Sequence, residues 1–254
     1  MQRYFVNKEQ FISKAVRIQG DNAFHIQSVM RGKVGDHIIV ANGEGQEAIA
    51  EIVSLTKGSV EVIYDELTPS AGEARVEVWL AQALPKGDKM EMVIQKGTEI
   101  GANRFIPFTS ERTIVQYDAK KEAKRVERWA RIAKEAAEQA HRGVIPTIEA
   151  VLSWRELLAI VPNVTMAMIC YEKENALQFR ELLQHILVKN TPSTNPIQIM
   201  LIIGPEGGLT EGEIRDAEQA GCRTISLGRR ILRTETAALV GLSCILYESG
   251  EMGG

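Results

Sequence analysis

The 254-residue sequence holds only three cysteines, Cys170, Cys222 and Cys244, and no two of them are close enough for a CxxC site. Disulfide frameworks use even sets at short spacings, so none is expected, and scattered thiols point to a reducing compartment, the cytoplasm. The four histidines, His25, His37, His141 and His185, share no ligand spacing with one another or with a cysteine, so no metal centre is expected. His37 and His185 read as structural. A GxSxG elbow, a GxxxxGK[ST] loop and a GxGxxG fingerprint are all missing, which argues against serine hydrolase, nucleoside triphosphatase and dinucleotide enzyme chemistry. Long apolar runs are missing too. Residues 197–203 fall far short of the roughly 20 that a membrane helix needs, and residues 1–8 lack the apolar stretch of a secretory leader, so no membrane partner is expected. Charge of one sign is also scarce: 30 Lys and Arg stand against 33 Asp and Glu, a net −3. That excludes a uniformly basic coat for nucleic acid but not a local one.

Two textures divide what is present. Residues 1 to about 70 alternate apolar and polar side chains between Gly, Asp and Asn, as in Ala48-Ile49-Ala50-Glu51-Ile52-Val53 and Ser59-Val60-Glu61-Val62-Ile63-Tyr64. Period-2 patterning with short turns predicts a small antiparallel barrel, with Asn42-Gly43-Glu44-Gly45 as a hairpin turn. One helical stretch, residues 22–31, interrupts it, with Phe24, Ile26, Val29 and Met30 as candidate buried residues. Thr68-Pro69-Ser70-Ala71-Gly72-Glu73 is rich in turn residues, and a boundary is placed there, giving domains 1–71 and 72–254. Beyond it, strands at 76–83, 104–108, 164–170, 198–203 and 223–227 alternate with helices. This predicts an α/β fold, a mostly parallel sheet covered on both faces. Asp88 with Glu91 is expected to cap a helix that ends at Gly101, and the last helix is expected over about 236–248, capped by Thr234 or Thr236.

Three stretches could carry chemistry. The strand ending at Ile203 runs into Gly204-Pro205-Glu206-Gly207-Gly208-Leu209-Thr210, where Thr210 and Glu213 form a capping box. Ligands in parallel sheets bind beyond the carboxyl ends of strands, and glycine lets a ligand approach the main chain; the competing reading is a tight turn with no ligand. The second stretch, Leu227-Gly228-Arg229-Arg230-Ile231-Leu232-Arg233-Thr234-Glu235-Thr236-Ala237, is too charged for core and too apolar for an ordinary loop. The third is a helix over about 118–140. Its Lys120, Lys124, Arg128 and Arg131 share a face, and residues 118–142 carry eight basic and five acidic side chains, Arg142 included. Such a stripe suits a phosphate backbone, although a solvated helix face is the commoner reason for one.

The two glycine motifs in this order resemble the RsmE family of ribosomal RNA methyltransferases, in the SPOUT superfamily. Lys86-Gly87-Asp88-Lys89-Met90, Gln95-Lys96-Gly97-Thr98-Glu99-Ile100-Gly101, Ser110-Glu111-Arg112 and Arg131-Ile132-Ala133-x-Glu135-Ala136-Ala137-Glu138-Gln139 add to the likeness, which spans essentially the whole chain. Two positions depart from the family pattern: Phe24 stands where a second histidine precedes His25, and Ala140 where a serine follows Gln139. The resemblance implies an N-terminal PUA-like β-barrel that binds RNA, followed by a SPOUT α/β trefoil-knot domain pairing as a homodimer through the knot. It implies S-adenosylmethionine-dependent methylation of N3 of one uridine in 16S ribosomal RNA, free or in the assembled small subunit. Alternatives are a SPOUT enzyme acting on transfer RNA or a ribose 2′-hydroxyl, and a non-catalytic ribosome-assembly factor. Carried onto this chain, the cofactor residues are Ile203, Gly204, Glu206, Gly207, Gly208, Leu227, Gly228, Ile231, Leu232, Thr236 and Ala237. Arg233 and Glu235 are the catalytic candidates, and Arg3, Arg31, Arg112, Lys124, Arg128 and Arg142 the RNA-binding ones.

Overall fold

The computed structural model describes residues 1–12, 14–70, 72–171, 179–189 and 196–253. The chain divides into two compact units, Met1–Glu73 with Ala137–Ile145, and Ala74–Ala136 with Pro146–Gly254. A single division at 71/72 makes no provision for the return of Ala137–Ile145 to the first unit; Ala71 itself lies outside the described residues. The reason for the return is packing and charge. Ala137 and Ile145 share a small apolar cluster with Phe5 and Ala41, and the Arg142 guanidinium pairs with Glu73 at 2.6 Å.

In the first unit the strands are β1 (Arg3–Phe5), β2 (Ala15–Gln19), β3 (His37–Ala41), β4 (Gln46–Thr56), β5 (Ser59–Tyr64) and β6 (Thr68–Pro69), with a short helix α1 (Gly20–Phe24) after β2. They form one sheet in the order β1-β3-β4-β5-β2, with β6 on β4. The alternation places Val16, Ile18, Ala48, Ala50, Ile52, Val60 and Val62 on the buried face. Not every pair is antiparallel as expected, since β1 runs parallel to β3. A parallel pair needs a long crossover, and residues 6–36, which include β2 and α1, supply one. The expected burial around α1 also changes. Ala23 and Ile26 face inward, but Phe24 is 63% exposed, and Val29 and Met30 also lie in solvent. After α1 the chain winds into a π-helical turn, His25–Val29, with the Met30 N–H on the His25 carbonyl. The wider turn moves side chains off the stripe that a 3.6-residue period predicts.

The second unit contains β7 (Val76–Ala83), α2 (Lys89–Ile100), β8 (Arg104–Thr109), α3 (Ala119–Gln139, whose last turn belongs to the first unit), β9 (Thr147–Ile148), β10 (Leu152–Ser153) and α4 (Trp154–Ile160). Then come β11 (Met166–Cys170), α5 (Phe179–Lys189), β12 (Ile197–Ile203), α6 (Glu211–Gln219), β13 (Arg223–Ile225) and α7 (Thr234–Glu248). All seven strands are parallel, in the order β10-β8-β7-β12-β11-β13 with β9 on β8. Side chains alternate between two cores. Leu80, Ile199 and Leu201 meet α2, α3, α5 and α7 through Val93, Ile94, Trp129, Leu183 and Leu242, while Ala81, Met200 and Ile202 meet α4 and α6 through Leu157, Ile214 and Ala217. From β7 the chain moves to one side as β8, crosses to the other side as β11, and comes back beside β7 as β12. The crevice beyond the carboxyl ends of β7 and β12 is therefore a topological switch point, where open parallel sheets bind ligands. Helix α7 lies close over β12: a Cβ on Gly241 would stand 2.5 Å from Leu201 Cδ2.

Candidate active site

Segments leaving β7, β8, β12 and β13 gather at the carboxyl edge of the sheet, and the turn after β12 is held by residues that follow β7 and β8 and by the start of α7, the helix after β13. Ile203 is buried, and the turn closes on itself through the Gly208 N–H, which donates to the Pro205 carbonyl at 2.9 Å. Gly208 has φ +70, a region open to glycine at little cost. Leu209 is buried beneath the turn, so that a Cβ on Gly204 would lie 3.0 Å from Leu209 Cγ. Thr210 and Glu213 form the expected capping box, and Glu213 Oε1 also accepts the Glu111 N–H from the segment after β8 at 2.8 Å. From that same segment Arg112 Nη1 donates to the Gly207 carbonyl at 2.9 Å.

The segment after β7 holds the turn by charge. Glu206 Oε1 accepts from the Lys86 N–H at 3.1 Å and from Lys89 Nζ at 2.9 Å, and Lys89 Nζ also stands 3.4 Å from Glu235 Oε2 in the first turn of α7. Burial alone would push the Glu206 carboxyl up, but the hydrogen bonds from Lys89 and the main chain outweigh it and hold it below the ordinary carboxylate range. Lys89 is held above the usual lysine value, first by its hydrogen bond to Glu206. Asp88 does sit at the start of α2, without a side-chain cap, and its expected partner Glu91 instead binds Arg125 and Arg128.

A buried relay joins the ends of β7, β12 and α7. Thr234 Oγ1 donates to the Gly204 carbonyl at 2.7 Å and accepts from Gln82 Nε2 at 2.8 Å, while the other Gln82 amide proton goes to the Ala83 carbonyl at 3.0 Å. Because the Thr234 hydroxyl proton is committed to Gly204, the Gln82 amide has one orientation. Its Oε1 is left buried and without a hydrogen-bond partner among the described residues. Thr234 therefore does not cap α7 as expected; the cap position is Arg233, whose side chain makes no capping bond, and Thr236 is exposed.

The predicted cofactor residues fall on these segments. Leu227 and Leu232 are half-buried, Ala237 likewise, Gly228 has φ +115, and Ile231 is 86% exposed. No backbone hydrogen bond among the described residues engages Arg229, Arg230, Ile231 or Leu232. Glu235 is buried and Arg233 exposed. Of the predicted RNA contacts, Arg31, Lys124 and Arg128 are exposed, Arg128 pairing with Glu91 at 2.7 Å. Arg112 is a strut of the glycine turn. Arg3 and Arg142 are corrected: both are buried in the first unit, Arg3 pairing with Glu47 at 2.6 Å and Arg142 with Glu73, so neither guanidinium is presented to a phosphate. A buried charge is retained only when paired, and these two close a structural network.

Sequence reasoning missed Gln82, Lys89 and Thr234 as parts of the site. One signal was available for Gln82, a lone amide inside the apolar run Val76–Ala83, since a buried polar group demands a partner. Among the described residues no group of three or more His, Cys, Asp or Glu could hold a metal ion, and no helix is long and apolar enough to cross a membrane.

Residues 72–246 match the family described as RNA methyltransferase domain, and residues 18–63 match the RNA methyltransferase PUA domain. The chain is 43% identical over 253 residues to a ribosomal RNA small subunit methyltransferase E of Bacillus subtilis, covering 98% of this chain and 97% of that one. A crystal structure of a ribosomal RNA small subunit methyltransferase E from Neisseria gonorrhoeae bound to S-adenosyl methionine superimposes with a TM-score of 0.82 at 27% identity, over 97% of each chain. A structure from Legionella pneumophila in complex with the cofactor SAM does so with a TM-score of 0.82 at 30% identity, over 96% of each.

Proposed function

This chain belongs to the ribosomal RNA small subunit methyltransferase E family, and on that premise we propose that it methylates N3 of one uridine in small-subunit ribosomal RNA with S-adenosylmethionine. The observation that carries this reading is the Gly204 to Gly208 turn, braced at a switch point by Gln82, Lys89, Arg112 and Thr234. The residues present suit the cofactor. Among the described residues Gln82 Oε1, buried beside the turn, has no hydrogen-bond partner, and no backbone hydrogen bond engages the main chain of residues 229–232. Gly204, Gly207 and Gly208, with the main chain of 227–232, would hold it; when bound, it supplies a methyl group on a sulfonium cation.

For uracil N3 to take the methyl group its proton must pass to solvent, and loss of that proton places negative charge on the flanking carbonyl oxygens until the methyl group arrives. Arg233, exposed at the start of α7, stabilises that charge, and Glu235, paired with Lys89 at 3.4 Å, orients the reacting groups. The base must be turned out of any stack to be reached. Exposed Lys124 and Arg128 on α3 contact phosphates. A homodimer through the α7 face is supported by Tyr247, 63% exposed, and exposed Cys244, both on the stretch of α7 from residue 237 to residue 247 that is apolar apart from Ser243. Three free cysteines support a cytoplasmic site of action.

The test is methyl transfer from labelled cofactor to small subunits and to free ribosomal RNA, followed by mapping of the modified nucleotide. Arg233→Ala is expected to keep cofactor binding and lose about a hundredfold in turnover. Undiminished turnover removes Arg233 from the chemistry, and failure of the wild-type chain to bind S-adenosylmethionine at millimolar concentration overturns the enzyme reading.

A further inference from the structure

The first unit carries an apolar surface that its own core does not use. Phe24 is 63% exposed, Val29 58%, Met30 51% and Val34 61%, four large side chains within eleven residues. Their exposure does not come from a loose loop. The Met30 N–H bonds the His25 carbonyl at 2.9 Å, the Gly32 N–H the Ile26 carbonyl at 2.9 Å, the Gly35 N–H the Ile52 carbonyl at 2.8 Å, and the Ile52 N–H the Asp36 carbonyl at 2.9 Å. Gly32 is packed in as well, since a Cβ there would lie 3.1 Å from Ile26 Cγ2. Two costly backbone features fix the segment, the π-helical turn His25–Val29 and a left-handed Arg31 at φ +53. Such conformations persist where a surface has a use for them.

The charges around this surface select one class of partner. From residue 22 to residue 35 there is no acid, while Arg31 and Lys33 are both exposed. Between Asp21 and Asp36, the latter tied to the Lys33 N–H at 2.8 Å, this rigid aromatic and aliphatic stretch carries cations and no acid of its own, and it suits a polyanion with exposed apolar faces, which is a nucleic acid strand whose bases are not paired. A duplex offers phosphates but hides its base faces, and would leave Phe24 without a partner.

We propose that Phe24, with Val29, Met30 and Val34, is a stacking platform for unpaired bases of the substrate RNA, and that Arg31 and Lys33 hold the adjoining phosphates. The proposal deepens the methyltransferase reading and rests on it for the identity of the RNA.

The full-length protein is titrated with a fluorescent mixed-sequence RNA strand without secondary structure, and with the same strand annealed to its complement, over a range of salt. Phe24→Ala is expected to weaken single-strand binding about tenfold at every salt concentration, to leave duplex binding unchanged, and to be rescued by Phe24→Trp. Arg31→Ala and Lys33→Ala are expected to lower the salt dependence itself, which Phe24→Ala does not. The circular dichroism spectrum and thermal midpoint stay at the wild-type values in all four variants and certify the fold of the first unit. Equal single-strand affinity of wild type and Phe24→Ala overturns the platform, as does a loss that Phe24→Trp does not restore. Either result leaves methyl transfer by the wild-type chain intact, so the two readings fail separately.

Discussion

Replacing Thr234 by valine tests whether the relay at the sheet edge holds the glycine turn. Valine keeps the shape and removes the hydroxyl, and with it the 2.7 Å bond to the Gly204 carbonyl and the 2.8 Å bond from Gln82. Each hydrogen bond contributes about 1 kcal/mol net. A Gln82 N–H left unpaired in a fully buried position costs roughly 1–3 kcal/mol more, and the added methyl returns at most about 1 kcal/mol. The balance is a destabilisation of about 2–4 kcal/mol. For a chain of this size that lowers the thermal midpoint by roughly 5–15 °C. Urea unfolding of the cofactor-free protein should show a lower midpoint with an unchanged slope, because the exposed surface is the same. Thr234→Ser keeps the hydroxyl and should stay within about 1 kcal/mol of wild type. Cofactor affinity should fall for valine and recover for serine. A Thr234→Val midpoint within about 2 °C of wild type, or a serine variant as damaged as the valine one, refutes the relay.

Arg142→Ala should cost about 1.5–3 kcal/mol in unfolding measurements, because half-buried Glu73 loses its charged partner and keeps only the Gly143 and Val144 N–H groups, while the salt dependence of RNA binding stays as it was. A reduced salt slope would return Arg142 to the phosphate contacts. Glu206, with its folded-state carboxyl held low, contributes stability that is fully present above the unfolded value of about 4.3 and is lost as pH falls through the lower folded value. Lys89→Gln should move the Glu206 titration upward in carboxyl-resolved NMR; no movement would show that Lys89 does not hold it. Among the cysteines, Cys244 lies on the proposed dimer face, so its reaction with a thiol reagent should speed up as the protein is diluted and the dimer separates; a rate independent of concentration would remove Cys244 from that face. Cys222, buried and with its thiol pushed up to about 12 by burial, should react only on unfolding, as mass spectrometry after timed quenching would record.

The parts of the fold carried by periodicity were legible. Strand β7 spans the residues that alternation assigns to it, β8 and β12 depart by a residue, and the Thr210–Glu213 capping box and the Gly101 helix end stand as read. What escaped were features set by tertiary partners. Arg3 and Arg142 look like any surface arginines, and only Glu47 and Glu73, distant in sequence, turn them inward. Phe24, Val29 and Met30 look like core because a regular helical period was assumed where the chain forms a π-helical turn. At the site, the glycines announced the turn. Its braces, Gln82, Lys89 and Thr234, did not, because each acts across more than a hundred residues of sequence or through a hydroxyl that local rules assign to a helix cap.

The Gln82–Thr234 bond spans 152 residues, and that span sets a clock during synthesis. At about 5–20 residues per second, Gln82 emerges from a ribosome roughly 8–30 s before the residue it must grip. Over that interval β7 has its amide but no hydroxyl to receive it, and the glycine turn lacks one of its braces even after β12 has been made. A nascent chain with its sheet otherwise assembled cannot yet complete the relay. Competence for the cofactor therefore arrives as one late event, when Thr234 docks, and a chain stalled or cut before that residue would hold a near-complete sheet without the relay at its edge.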